Sequence, residues 1–375
     1  MIYLDSAATS LQKPKAVSRA AARAMETMAS PGRGCHHPAM LAADCVYDCR
    51  AALAGYFSVE TPENVVFTSN ATHALNIAIG SIVSPGDKVV VSGYEHNSVV
   101  RPLYALGAKV CVLKTPLFCP DLMLDALCRE ISGATCVVCT HVSNAFGYIL
   151  PIEQVARLCR ERGVPLIIDA SQSAGVLPIN SSELKAAFIA MPGHKSLLGP
   201  QGTGVLLCNH DTRPLLSGGT GSNSAERSMP EYLPERLEAG THNVPGIAGL
   251  LQGIKYLAAR PEGAVQNHEH RLKELMATSL SSVSELTLFS SPNPQLQAGV
   301  LSIVPHSMDV DELAQRLGQQ GVCTRAGLHC APTAHETVGT DGTGTLRLSF
   351  SPFNTAAEIN QAAEQIKKIL NYIAK

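Results

Sequence analysis

Val164-Pro165-Leu166-Ile167-Ile168-Asp169 is an almost purely apolar run that ends on a carboxylate. Apolar residues without polar alternation predict a strand buried on both faces, as in a parallel sheet covered by helices. Outward from it, a helical stretch Ile152 to Arg162 comes before and the strand-like Ala187 to Ala190 comes after. Upstream, strands are expected at Val65-Val66-Phe67, Lys88 to Ser92, Ala108 to Leu113 and Ala134 to Thr140. A helix is expected from about Ala71. Two more, Pro14 to about Met28 and Ala39 to Phe57, flank a Gly- and His-rich loop, Ser30 to His37. Strand–helix alternation predicts an α/β domain with a mostly parallel sheet. Past about Gly246 long helices dominate, at Ile247 to Arg260 and His268 to Leu280. They are followed by a strand at Val300 to Val304, a helix near Val310 to Leu317, a strand near Leu346 to Phe350 and a last helix from Thr355. This is the pattern of a smaller α+β C-terminal domain. The expected division is a large domain at 14–250, with 1–13 and 251–375 forming the small one.

The chain has 375 residues and a formal charge of −2, enough to bury a sizeable core and too neutral to seek a polyanion. No nucleic-acid partner is expected. No uncharged apolar stretch reaches the ~18 residues of a membrane span, so no membrane partner is expected either. The chain opens on the strand-like Ile2-Tyr3-Leu4-Asp5 without a leader pattern, and the expected location is cytoplasmic. Twelve scattered cysteines are expected as reduced thiols. Cys136-Val-Val-Cys139 has the spacing of a metal or redox pair, but it lies within a strand. Residues three apart on a strand face opposite sides, so a core role is the better expectation and no metal site is assigned.

Open α/β sheets bind ligands beyond the carboxyl ends of their strands. Asp169 ends such a strand, with Gln172 three residues on. A carboxylate there suits a protonated pyridine nitrogen, or equally a cap on the next segment. Gly193-His194-Lys195-Ser196 follows the next strand and precedes Gly199-Pro200-Gln201-Gly202-Thr203-Gly204. A lysine among small residues with little charge nearby is a candidate neutral, nucleophilic amine. Thr68-Ser69-Asn70-Ala71-Thr72-His73 reads as a strand-to-helix turn whose N–H groups suit a phosphate, with ordinary capping by Ser69 or Asn70 as the plainer alternative. No dinucleotide fingerprint follows the first strand.

These segments resemble the class V aminotransferase superfamily and, within it, the group II cysteine desulfurases and selenocysteine lyases. The resemblance runs in order through Tyr3-Leu4-Asp5-Ser6-Ala7-Ala8-Thr9, Glu95-His96-Asn97-Ser98, His141-Val142-Ser143-Asn144 and Asp169-Ala170-Ser171-Gln172. It continues through Gly193-His194-Lys195, Glu238-Ala239-Gly240-Thr241, Arg325-Ala326-Gly327-Leu328-His329-Cys330 and Arg347. It implies the fold type I of the transferases that depend on pyridoxal phosphate (PLP), and a homodimer. By resemblance, Lys195 is the Schiff-base lysine, Asp169 partners the pyridine nitrogen and Gln172 touches the phenolic oxygen. His96 stacks on the ring and shuttles protons. Ala71, Thr72 and His194 surround the phosphate, with Thr241 reaching in from a second subunit. Asn144 and Arg347 hold the substrate carboxylate, with Arg325 and His36 nearby.

Cys330 resembles the nucleophile that takes sulfur from L-cysteine, leaving alanine and a persulfide for an acceptor protein or a reductant. A loop thiol beside Arg325 and His329 suits that role, because a nearby cation favours thiolate. Cys35, beside His36, is a lesser candidate. The alternatives are selenium release from L-selenocysteine, with a selenium acceptor, and another C–S lyase or aminotransferase reaction. The sequence departs from the family at Pro192-Gly193, where relatives offer a Ser, and at Ala71, His73 and Leu328, the last in place of a His. These changes point to a divergent subfamily.

Overall fold

The structure, a computed structural model, describes residues 1–32, 34–222 and 224–373, with side chains through 370. In chain order the strands are β1 (Ile2–Tyr3), β2 (Val65–Thr68), β3 (Lys88–Ser92), β4 (Lys109–Leu113), β5 (Cys136–Thr140), β6 (Leu166–Asp169), β7 (Phe188–Pro192) and β8 (Gly204–Cys208). The later ones are β9 (Leu286–Phe289), β10 (Val300–Pro305), β11 (Val322–Cys323), β12 (Arg325–Gly327) and β13 (Thr345–Ser349). The helices are α1 (Lys15–Thr27), α2 (His37–Phe57), α3 (Ala71–Ile82), α4 (Asn97–Ala105), α5 (Pro120–Glu130) and α6 (Ile152–Arg162). They continue as α7 (Ser181–Leu184), α8 (Val244–Ala258), α9 (Ala264–Leu280), α10 (Val310–Gln319), α11 (Pro332–Val338) and α12 (Ala356–Ile373).

The run at 164–169 supplies β6, the middle strand of a seven-stranded sheet ordered β2-β8-β7-β6-β5-β3-β4. β4, β3, β5, β6 and β7 pair in parallel, while β8 runs antiparallel between β7 and β2. Side chains alternate between two cores, as the strand period of two requires. Leu166 and Ile168 face one core, with α2, α5, α6 and α8; Ile167 faces the other, with α3 and α4. Each fully buried Val or Ile of these strands contributes roughly 1.5–3 kcal/mol relative to exposure, which is why strand and sheet face are so firmly specified. Cys136 and Cys139 fall into opposite cores, as their spacing predicts. Burial pushes the Cys136 thiol up to about 12 and the Cys139 thiol well above its ordinary value, so both are inert. Half of the twelve cysteines are buried; Cys111, Cys119 and Cys323 are half-buried, and Cys35, Cys128 and Cys330 are exposed.

The smaller unit is an antiparallel sheet, β12-β13-β10-β9, packed on α9, α10 and α12. The first residues join it: β1 pairs with β11, and Ile2 and Leu4 are buried in that core. The division expected at 250 falls inside α8, which is one continuous helix. Its Ile254 and Leu257 pack into the large core, along with Val265 of α9. β8 is not predicted from the sequence, because a five-residue apolar run directly after a Gly-rich turn is too short to show a period.

Candidate functional site

The carboxyl ends of β5, β6 and β7 open into a cavity of about 210 Å³. Its wall draws on seven parts of the chain. Ala7 and Ala8 come from the N-terminal segment, Asn70 to Thr72 from the start of α3, and His96 and Ser98 from the start of α4. Thr140 ends β5, with Val142 and Asn144 after it; Asp169 ends β6, with Ser171 and Gln172 after it; Pro192 ends β7, with His194 and Lys195 after it. Arg325, His329 and Arg347 come from the smaller unit. This is where an open α/β sheet presents a ligand site. Two glycines allow the approach. A Cβ at Gly193 would collide with the Thr203 hydroxyl, and one at Gly204 would lie 2.5 Å from the backbone of Asn70 at the head of α3.

Lys195 is half-buried, and desolvation brings its amine down to about 8, with Asp169 opposing the effect and Arg347 and Arg325 adding to it. A fraction of the amine is therefore free base near neutral pH, as a nucleophile or base requires. One oxygen of Asp169 accepts the Ser171 N–H at 2.9 Å. Burial also lowers His96 and His194, each to about 4, so both rings are neutral. His96 Nδ1 accepts the Ser98 N–H at 3.0 Å, which places the ring proton on Nε2. The Ser98 hydroxyl lies 2.9 Å from that Nδ1 and 2.7 Å from the Thr72 hydroxyl. Asn70 caps α3 by accepting the His73 N–H at 2.9 Å, so the capping role and the anion-binding helix start are both present at this turn. Gln172 donates to the Ala7 carbonyl at 3.0 Å, tying the N-terminal segment to the end of β6.

At the other end of the cavity Arg347 is 1% exposed. It reaches Asp5 at 2.8 Å and the Asn144 carbonyl at 3.0 Å, and its Nε is buried without a partner. Asn144 donates to the His329 carbonyl at 2.7 Å, and its Oδ1 is likewise buried and unpartnered. Unpaired polar atoms on two cavity-lining residues mark a place where a polar ligand group belongs. Cys330 is exposed and is not among the residues that line the cavity; its sulfur lies 3.8 Å from Arg325, a guanidinium that does line it.

Ten of the sequence candidates thus meet in one cavity: Lys195, Asp169, Gln172, His96, Ala71, Thr72, His194, Asn144, Arg325 and Arg347. Thr241 and His36 do not. Thr241 is exposed and lines a separate hollow with Phe67, Ser69 and His73. His36 is exposed, and its ring accepts the Ala39 N–H as the cap of α2. His329, expected as a cation beside Cys330, is instead kept neutral by burial. Asp5 and Ser98 carry no expectation from the sequence, although each lies inside a motif quoted above. Their signal is visible only once the partner groups are placed. The same holds for Glu95, fully buried beside His96, whose carboxyl accepts from the Ser92 hydroxyl and the Thr140 N–H. Among the described residues no cluster of three or more His, Cys, Asp or Glu could hold a metal ion.

The chain matches the family model described as aminotransferase class-V over residues 2–362. It is 33% identical to a probable cysteine desulfurase of Methanothermobacter thermautotrophicus, the alignment covering 98% of this chain and 94% of that protein. It is 32% identical to a probable cysteine desulfurase of Pyrococcus abyssi, covering 96% of this chain and 92% of that one. Its fold is similar to the apo structure of a cysteine desulfurase from Thermococcus onnurineus, with a TM-score of 0.90, 30% identity and coverage of 99% and 95%. A cysteine desulfurase from Escherichia coli, solved as an S-sulfonic acid, gives a TM-score of 0.85 at 26% identity, with coverage of 99% and 95%. With the lysine, the carboxylate and the buried arginine in one cavity and the family match spanning the sheet that builds it, the chain belongs to the class V aminotransferase family.

Proposed function

We propose that this chain is a PLP-dependent cysteine desulfurase, converting L-cysteine to L-alanine and leaving the sulfur on Cys330 as a persulfide. The observation that carries the reading is a lysine amine held near neutrality in the cavity that also holds Asp169 and Arg347, with a thiol 3.8 Å from a guanidinium that lines it. The names of the relatives point to the same substrate.

The cavity's donor set fits the cofactor. Lys195 would hold its aldehyde carbon, Asp169 its ring nitrogen and Gln172 its phenolic oxygen. His96 would lie against the ring, and the start of α3 with Thr72 and His194 would meet the phosphate. When bound, pyridoxal phosphate supplies an electron sink for carbanion chemistry at the substrate's α-carbon. The chain's own groups do the rest. Arg347 offers its unpaired Nε–H to the substrate carboxylate. Lys195, freed as an amine, takes the α-proton and returns a proton to carbon, with neutral His96 as the second carrier. Arg325 lies 3.8 Å from the Cys330 sulfur, which reacts as its thiolate. That thiolate attacks the substrate sulfur; the S–S bond forms, the C–S bond breaks and its electron pair stays with carbon. Protonation of that carbon gives alanine.

Exposure of Cys330, with Leu328 beside it 39% exposed, leaves the persulfide open to an acceptor protein or a reductant. The working unit is a homodimer, with Thr241 completing the phosphate site of a second copy. The location is cytoplasmic, in keeping with free thiols; among the described residues no helix is long and apolar enough to cross a membrane.

The test is spectral and chemical. Protein incubated with pyridoxal phosphate should absorb near ~420 nm and bleach with borohydride, and Lys195→Ala should not. L-Cysteine should yield alanine, with mass added on Cys330. A colourless wild type, or alanine formed equally well by Cys330→Ala, would refute the reading. Strong turnover of L-selenocysteine alone by Cys330→Ala would favour selenocysteine lyase activity.

A further inference from the structure

His329 and Cys330 are consecutive non-glycine residues with φ of 50° and 55°. A left-handed backbone is strained at such residues, so surrounding contacts must hold it. Two contacts are to the main chain: Asn144 donates to the His329 carbonyl, and the Asn97 N–H donates to the Cys330 carbonyl at 2.7 Å. The third is to the His329 ring, and it is built from buried hydroxyls. Ser302 donates to the Ala145 carbonyl at 2.5 Å, so its own hydrogen is committed. The Thr345 hydroxyl, 3.1 Å from Ser302, then donates to Ser302 and keeps its lone pairs for His329 Nε2 at 3.0 Å. The Thr345 carbonyl accepts from the same nitrogen at 3.1 Å. The direction of every bond follows from the first, and it fixes the proton on Nε2. Ser302 and Thr345 are fully buried and His329 is 3% exposed.

We propose that Thr345 is a positioning residue for Cys330, acting through the His329 ring to hold the nucleophile's loop in its left-handed turn. Thr345 does not line the cavity, and among the described residues no hydrogen bond joins it to Cys330. The inference rests on the reading of Cys330 as nucleophile, but its structural half stands without it. His329 is kept neutral down to about 2 by burial and by Arg347, so the clamp does not release within the working pH range.

The experiment compares wild type, Thr345→Val and Thr345→Ser as holoenzymes. It measures kcat and KM on L-cysteine, and the iodoacetamide alkylation rate of Cys330 by mass spectrometry. Valine keeps the shape and deletes the hydroxyl; serine restores it. Loss of the clamp should lower kcat about 10- to 100-fold with KM within about 2-fold, as expected when a reacting atom is displaced by about 1 Å. Alkylation should change about 3-fold or more in Thr345→Val, and Thr345→Ser should restore both values. Wild-type alkylation and kcat in Thr345→Val would overturn the proposal. Equal losses in both variants that track a lowered melting temperature would overturn it too. If no variant, wild type included, makes alanine from cysteine, the desulfurase reading fails; the alkylation comparison still decides whether Thr345 sets the thiol's environment.

Discussion

Two cavities of this molecule differ in the direction opposite to their sizes. The one between α2, α8 and the segment after β6 measures about 610 Å³, three times the volume of the one at the strand ends. It is lined by residues such as Ala52, Tyr56, Leu177, Lys255 and Arg260, and among its described lining residues there is no histidine or cysteine. The smaller cavity brings a lysine, three histidines, an aspartate and two arginines together, and burial lowers the pKa of the lysine and of all three histidines. Room alone does not make a reaction site. Groups held out of water at the carboxyl ends of parallel strands do, because desolvation is what makes an amine a base at neutral pH.

The largest expected effect separates the two cavities directly. Lys195→Ala should cut desulfuration by ~1,000-fold or more, since the essential nucleophile and base is removed. Lys255→Ala, in the larger cavity, should leave kcat/KM within about 2-fold. Steady-state rates on L-cysteine check both, and a deep loss in the second would break the comparison. Next in size is Cys330→Ala, expected to lose about 100-fold or more on L-cysteine, measured as alanine formed. Arg347→Lys should then raise KM by about 10-fold or more with a smaller change in kcat, because an ammonium cannot reproduce a fork that serves Asp5, the Asn144 carbonyl and a ligand at once.

The smallest effect concerns charge state and stability. Burial raises the Glu95 carboxyl from 4.5 to about 8, so the folded protein holds a proton there that the unfolded chain releases. The stability this contributes is fully present below pH 4.5 and is lost as pH rises through about 8. Glu95→Gln keeps the acceptor for Ser92 and Thr140 and removes the titration. Its melting temperature should therefore gain on wild type steadily as pH rises across that range. Parallel melting curves would show that Glu95 is not a buried neutral acid.

Much of this site was legible in the chain. The apolar run closed by Asp169 set the strand, the strand end and the ligand side of the sheet in one reading. Lys195 stood out because small residues surround it, and the first turn of α3 because Asn70 precedes a helix. Thr241 and His36 were named for roles that a single copy of the chain does not bring into the cavity. Their local motifs say what they resemble, not what they face. Asp5, Ser98 and Glu95 escaped notice for the complementary reason. Each draws its role from partners distant in sequence, such as Arg347 for Asp5, 342 residues away.

The sequence by itself determined the alternation of elements and the buried parallel strands, which follow from period and burial and are local; it marked Lys195, Asp169 and Cys330 as candidates through flanking residues and family resemblance. Tertiary structure alone decided that α8 runs unbroken across the expected division and that the first residues complete the smaller core. It also decided that a chain of buried hydroxyls from Ala145 to His329 holds the turn carrying Cys330. Such hydrogen bonds join strands and loops whose separation in sequence no periodicity encodes, and their direction is set only when every donor has found its acceptor.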